Sequence, residues 1–412
     1  MSPIVGIGGI RSKPGVYKMD YKNQTILAGE AWTPTRKLCD CQIEIAGGRI
    51  TRLTPGVHRL TAGAIDARDG IVISGLIDLQ VNGALGWSFQ AEHAAHWDEI
   101  LVYHHARGTT TLLPTLVTAP PDVLEESLLA LSAYLDAHPG AAAGIHLEGP
   151  FLSPEKRGAH DETALQAPSL PLLQRFERAT GKHLRLVTLA PELPGALELI
   201  AYLAKRGILV SAGHSTAGYT EMQAAVQAGL RLVTHAGNAS DWPLRRLGKE
   251  NFLRSEPALV GSLLALDELS GGVILDGFHF HPALLKPLLK VKGPGKIFLV
   301  SDAAPMAGCP PGEYLSGGLA AVVHAEGYIT SGRGEGVGWL AGSAITLLDA
   351  LQRAVSLAGL PFGAALRMAT LTPATILGIQ RRKGCLRVGA DGDLVILNRD
   401  LSLRAVTQVE VG

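Results

Sequence analysis

The chain has 412 residues, 47% of them hydrophobic and 18% charged, enough to bury a sizeable core. Lys plus Arg and Asp plus Glu balance at 37 each, so no global field draws the chain to nucleic acid or to an anionic membrane. Aromatic residues, at 5%, are too sparse for base-stacking platforms.

A length above ~250–300 residues ordinarily means more than one domain. The N-terminus, MSPIVGIGGIRSKPG, lacks the basic start and long apolar core of a signal peptide. No run of ~18 apolar residues is present to span a membrane. Cys39-x-Cys41 is too tightly spaced for a zinc ribbon, and Cys309 and Cys385 do not form a second pair. The expectation is a soluble, cytoplasmic protein with reduced thiols.

Residues 1 to about 70 read as β-rich. Cys41–Ile45 alternates, Gly47-Gly48 turns, and Arg49–Leu53 alternates again, a hairpin signal. From about residue 71 a different pattern repeats: an apolar strand, a polar end, then a helix. The strand candidates are Ile71–Leu79, Thr110–Leu113, Gly144–Leu147, Leu184–Leu189, Ile208–Ser211, Leu230–Thr234, Gly272–Leu275 and Ile297–Val300. Helical patterns lie between them, among them Trp97–Arg107, Pro121–His138, Leu170–Thr180, Leu193–Lys205, Thr220–Ala228 and Pro282–Leu289. Ser343–Leu360 and Pro361–Leu377 follow as further helices.

Strands alternating with helices in this number predict an α/β fold, a (β/α)8 TIM-like barrel over residues 71–379. An open doubly wound sheet is the rival, disfavoured because no phosphate-cradling glycine fingerprint opens the first unit. The tail turns β-like again at Lys383–Gly389, Asp391–Leu397 and Leu403–Val411. Residues 1–70 and 380–412 are therefore expected to build one small β-sandwich domain from both termini.

Barrel enzymes keep their chemistry at the C-terminal ends of the strands. Read in order, those ends carry Gln80 and Asn82, Thr115, Glu148, Glu192, His214, His235, Asp276 with His279, and Asp302. A glutamate and two histidines with an open position form a common ligand set for catalytic zinc. Glu148, His214 and His235 supply that set from separate strands. Asp302 closes Leu299-Val-Ser-Asp and reads as a general base beside the metal. A carboxylate that only caps the next turn is the plainer alternative.

Together these segments carry a resemblance. His146-Leu-Glu-Gly-Pro-Phe, Ser211-Ala-Gly-His-Ser, Thr234-His235, Asp276-Gly-Phe-His279, Ser301-Asp-Ala and Leu340-Ala-Gly-Ser resemble the N-acetylglucosamine-6-phosphate deacetylases of the amidohydrolase superfamily. Ser74–Gln80 and Gly384–Val395 match the stretches that lead into and out of that family's barrel.

The resemblance implies that Glu148, His214 and His235 hold the metal, that Asp302 is the acid/base, and that His279 polarises the scissile carbonyl. It implies a sugar pocket lined by Ala159, Asn238, Ala239, Asp276 and Leu340, Ala341 and Gly342, with His160 beside it. It also implies a homodimer and a small amino-sugar substrate. Many amidohydrolases open strand one with His-x-His and bind a second metal there. This chain has Gln80-Val-Asn82, and neutral amides are poor zinc ligands. One divalent metal per subunit is expected, Zn first and Fe second.

The chain departs from the family after His235. The family's phosphate-binding Arg precedes Glu-Pro directly. Here Arg254 stands one residue further off, before Ser255-Glu-Pro, in a longer segment that also holds Arg245, Arg246 and Lys249. Bidentate phosphate recognition depends on placement. The expected activity is removal of acetyl from N-acetylglucosamine 6-phosphate. An unphosphorylated or different N-acetylamino sugar is the alternative substrate, and a silent sugar-phosphate-binding barrel is the alternative of another class.

Overall fold

A ring of eight parallel strands organises the chain: β1 (Leu76–Val81), β2 (Thr109–Val117), β3 (Ile145–Glu148), β4 (Leu184–Leu189), β5 (Leu209–Ala212), β6 (Leu232–Val233), β7 (Ser270–Ile274) and β8 (Ile297–Val300). The computed structural model describes residues 17–19, 23–33, 36–57, 59–60, 62–240, 244–247, 252–255, 257–316, 318–332 and 338–407. For 17–19, 244–247 and 252–255 it gives the backbone alone.

Each strand pairs with its sequence neighbour, from β1 through to β8. The ring closes where Asp302 N donates to Gln80 O at 3.0 Å and Asn82 N donates to Ala303 O at 2.9 Å. This is the barrel expected from the βα alternation.

Side chains leave the strands alternately outward and inward. Outward go Ile145, Leu147, Val187, Leu189, Val210, Val233, Val273 and Leu299, which join the helices in one apolar cluster. The helix Pro121–Ala137 meets that cluster with Leu124, Leu128, Leu131 and Leu135, an i, i+4, i+7, i+11 stripe. Burying each such leucine is worth roughly 1.5–3 kcal/mol.

Inward, the barrel is layered. Leu113, Leu186, Leu232, Ile274, Phe298 and Val300 form an apolar floor. Thr115, His146, Thr188, Ser211 and Thr234 form a buried polar layer above it. Glu148, His214, His235 and Asp302 lie at the top and are also buried.

Both termini contribute to a second, seven-stranded sheet, in the order Tyr17–Met19, Leu403–Thr407, Leu394–Leu397, Ile65–Ser74, Asn23–Trp32, Lys37–Ala46, Arg49–Thr54. Its strands alternate between two apolar clusters. Val72 and Ile396 point to the sheet's own core, with Ile26, Ile43 and Ile50. Ile71, Ile73, Val395 and Leu397 point to the barrel's outer cluster.

The stretch Ile71–Leu79, expected as one strand, is two strands that meet at Gly75. A Cβ there would lie 1.9 Å from Thr110 Oγ1, so the chain crosses from the terminal sheet into β1 at the one residue that fits. Two elements lacked a sequence signal. A four-stranded antiparallel sheet (Gly312–Ser316, Leu319–Val323, Tyr328–Ser331, Leu340–Ser343) follows β8. The segment after His235 contains an antiparallel pair, Leu244–Leu247 with Phe252–Ser255.

Among the described residues no helix is long and apolar enough to cross a membrane.

Candidate active site

At the C-terminal mouth of the barrel lies a cavity of about 580 Å³, walled in part by Asn82, Glu148, His214, His235, His279 and Asp302. The residues read from the strand ends converge here from positions far apart in the chain. Glu148 is the last residue of β3, and His214 and His235 each stand just beyond β5 and β6. Their backbones, with that of Asp302, take positive φ: 49° at His214, 28° at His235 and 48° at Asp302. Non-glycine residues rarely adopt this region, and the bend turns the side chains over the barrel mouth.

Glu148 Oε1 lies 3.1 Å from His235 Nε2 and 3.3 Å from His214 Nε2, and the two imidazole nitrogens are 3.1 Å apart. A tetrahedral cation held at ~2.0–2.1 Å has ligand-to-ligand edges of about 3.3 Å. These three atoms therefore fit one face of such a site, with the fourth position toward the cavity.

The donor chemistry agrees. His214 Nδ1 faces the Lys156 carbonyl at 2.9 Å, an acceptor only, so its proton sits on Nδ1 and the Nε2 lone pair is free for a cation. Burial pushes the Glu148 carboxyl up, but the neighbouring His214 and His235 together outweigh burial and hold it well below the ordinary value. Glu148 is thus a carboxylate.

Gln80 and Asn82 face two carboxylates. Gln80 Nε2 donates to Glu148 Oε2 at 2.9 Å, and Asn82 Nδ2 donates to Asp302 Oδ1 at 2.7 Å. The two amides hold the acids in place. Burial, reinforced by the Glu148 charge, pushes Asp302 up to about 6, into the range where a group can take and return a proton.

His279 Nδ1–H donates to Asp276 Oδ2 at 2.6 Å, leaving Nε2 to the cavity. Asp276 Oδ1 accepts from the backbone N–H of Phe278 at 2.9 Å and of His279 at 2.8 Å. Arg353 in turn holds the Asp276 carbonyl. Asp276, expected in the sugar pocket, is absent from the cavity wall. Its carboxylate is fully engaged in orienting His279.

Of the other expected pocket residues, Ala159, His160, Asn238, Leu340, Ala341 and Gly342 line the cavity. Ala239 does not; its carbonyl accepts from Ser215 N at 3.4 Å. The Arg254 side chain lies outside the described residues.

His160 is more closely built into the site than expected. Its ring packs edge-on to His214 at 4.4 Å, its Nδ1 lies 2.9 Å from Thr118 Oγ1, and it groups with Glu148 and His214 as possible metal ligands. Burial, then the neighbouring His214, pushes its pKa down to about 3.

Sequence reasoning missed one side of the cavity. Ser88–Glu92, Val123, Glu126 and Ser127 line it, and no spacing in the sequence pointed to them. It also missed Asp78, fully buried under the mouth, which accepts from Ser301 N and Gln80 N at 3.2 Å.

Comparison with known proteins agrees with this geometry. The sequence model of the amidohydrolase family matches residues 71–411. The chain is 35% identical to the N-acetylglucosamine-6-phosphate deacetylase of Danio rerio, covering 82% of this chain and 83% of that one. To the Homo sapiens protein of that name it is 33% identical, covering 96% of each. A solved structure of a mutant N-acetyl-D-glucosamine-6-phosphate deacetylase from Mycobacterium smegmatis, in complex with N-acetyl-D-glucosamine-6-phosphate, has a TM-score of 0.85 at 32% identity and covers 94% of this chain and 98% of that chain. The Thermotoga maritima enzyme of that name gives a TM-score of 0.76 at 27% identity, with 93% and 96% covered. The chain belongs to the amidohydrolase family, among its N-acetylglucosamine-6-phosphate deacetylases.

Proposed function

We propose that this protein hydrolyses the acetamide of N-acetylglucosamine 6-phosphate, releasing acetate and glucosamine 6-phosphate. The observation that carries the reading is the triangle of Glu148 Oε1, His214 Nε2 and His235 Nε2, with edges of 3.1–3.3 Å, beside the acid Asp302 in one cavity. Glu148, His214 and His235 would hold a single divalent metal, Zn or Fe. When bound, such a cation polarises a carbonyl and lowers the pKa of water at its open position.

The chain's own groups do the rest. Asp302, fixed by Asn82, takes a proton from the attacking water and returns it to the departing amine. His279, its Nδ1–H held by the Asp276 carboxylate, donates from Nε2 to the carbonyl oxygen when the ring carries a proton on both nitrogens, as negative charge builds on that oxygen. Ala159, His160, Asn238 and Leu340–Gly342 contact the sugar. Arg254, with Arg245, Arg246 and Lys249, is the candidate source of positive charge for the phosphate. The reading includes a cytoplasmic homodimer whose chain divides near residues 70 and 380.

One observation favours a second reading, an unphosphorylated N-acetylamino sugar. Among the described residues the cavity wall carries Glu92, Glu126 and Asp161 but no Lys or Arg. Acetate release from a panel of N-acetyl sugars, with and without the 6-phosphate, on metal-quantified protein, separates the two. Faster turnover of the free sugar selects the second reading, and no acetate from any member ends both.

A further inference from the structure

Directly beneath the metal-ligand layer, Ser211, Thr234, Thr188, His146 and Thr115 are hydrogen-bonded in a row across consecutive strands, and all are buried. Ser211 Oγ lies 2.6 Å from Thr234 Oγ1, and Thr234 Oγ1 lies 2.8 Å from Thr188 Oγ1. Thr188 Oγ1 lies 2.8 Å from His146 Nε2, and His146 Nδ1 lies 3.3 Å from Thr115 Oγ1. Of these groups only Thr115 lines the cavity, and the proposed reaction uses none of them.

The row has one allowed direction. Thr115 Oγ1 donates its only hydrogen to the Leu113 carbonyl at 3.2 Å, and it accepts from Val81 N at 3.0 Å. The hydrogen between Thr115 and His146 must then come from the ring, which puts the proton on Nδ1. The ring is buried and its hydrogen-bond partners are two hydroxyls with no carboxylate among them, the setting of a neutral imidazole. Nε2 is therefore bare and accepts from Thr188, Thr188 accepts from Thr234, and Thr234 accepts from Ser211. Each link has one donor and one acceptor.

The layer above needs such a support. His214 and His235 are held at φ of 49° and 28°. Residues in that region are strained and persist only where their surroundings over-determine them. Thr234 immediately precedes His235, and His146 stands two residues before Glu148 on β3.

We infer that His146, in its Nδ1–H tautomer, is a positioning residue for the metal site. It sets the direction of the hydroxyl row and so fixes the strand ends that carry Glu148 and His235. The inference rests on the metal-site reading above.

Two measurements test it. Nitrogen NMR of the histidine-labelled holoenzyme reads the His146 tautomer directly and needs neither turnover nor a variant. A proton on Nδ1 is expected, and a proton on Nε2 reverses the row and overturns the inference while leaving the deacetylase reading intact.

The second measurement is zinc affinity by chelator competition, with kcat and KM, for His146→Asn, Thr188→Val and Thr188→Ser. The first two should bind zinc ~10–100-fold more weakly and lose kcat with little change in KM. Thr188→Ser, which keeps the hydroxyl, should restore both. Wild-type zinc affinity and kcat in Thr188→Val, with only a lower Tm, would make the row mere packing. If His146→Asn fails to fold, the Thr188 pair and the tautomer still decide.

Discussion

Asp276→Asn tests whether His279 works through its buried carboxylate partner. In the structure Asp276 Oδ2 accepts from His279 Nδ1 at 2.6 Å while Oδ1 accepts from two backbone N–H groups. Asparagine can keep its oxygen on the backbone donors. Its NH2 then faces Nδ1, which must become an acceptor, so the ring proton moves to Nε2. The ring can still donate to a carbonyl oxygen, but the negative charge behind it is gone. A charge-assisted hydrogen bond is worth roughly 1.5–3 kcal/mol, which at about 1.4 kcal/mol per decade is a ~10–150-fold loss of kcat. The assay is steady-state acetate release on protein of matched metal content, in the wild-type and His279→Ala backgrounds. In His279→Ala the same change should do little, because the group it acts through is missing. A loss under about threefold in the wild-type background, or equal losses in both, would refute the coupling.

Asp302→Asn should lower kcat ~10²–10⁴-fold and leave metal content unchanged, because Asn82 can still donate to the remaining oxygen; near-normal turnover removes Asp302 from the reaction. Elemental analysis should find a single metal ion per chain, since β1 offers neutral amides in place of imidazoles, with the NH2 groups of Gln80 and Asn82 turned to Glu148 and Asp302. Two ions at full occupancy would contradict that, and chelation should abolish acetate release until metal is restored. His105 is buried with both ring nitrogens lacking a hydrogen-bond partner among the described residues, and burial, then His104, pushes its pKa down to about 4. The fold therefore favours the neutral ring: its contribution is intact above the unfolded value near 6.5 and is lost as pH falls toward 4. Linkage gives roughly 2 kcal/mol lost by about pH 5. The unfolding free energy of His105→Leu relative to wild type, read from urea melts, should rise by that amount between about pH 7.5 and pH 5, and a pH-independent difference would show that His105 is already solvated.

Much of the site was legible in the sequence because its chemistry sits at strand ends, where an apolar run stops at a polar residue. Glu148, His214, His235 and Asp302 were visible that way. Their partners were not. Gln80 meets Glu148 across 68 residues and Asn82 meets Asp302 across 220, and only the closed ring brings them together. Asp276 showed a carboxylate three residues before a histidine but not that its oxygens would be fully used. The sheet after β8 was missed because its strands are short and only half-buried, and Gly312–Ser316 shows no clean alternation of apolar and polar residues. His104 and His105 read as ordinary positions on an amphipathic helix. His104 is buried where its Nε2 meets the Gly83 carbonyl at 3.1 Å, a contact with the segment after β1 that local pattern does not encode.

The seam between β1 and β8 has a consequence for the life of the chain. The same few residues both fasten the first strand to the last and present the acid: Asp302 gives its N–H to Gln80, Ala303 takes that of Asn82, and the Asn82 side chain grips the Asp302 carboxylate. A nascent or truncated polypeptide ending short of residue 302 would already hold every metal ligand, yet it would lack both the proton carrier and the clasp. Competence for chemistry thus arrives in one step, when the last stave of the cask is set against the first.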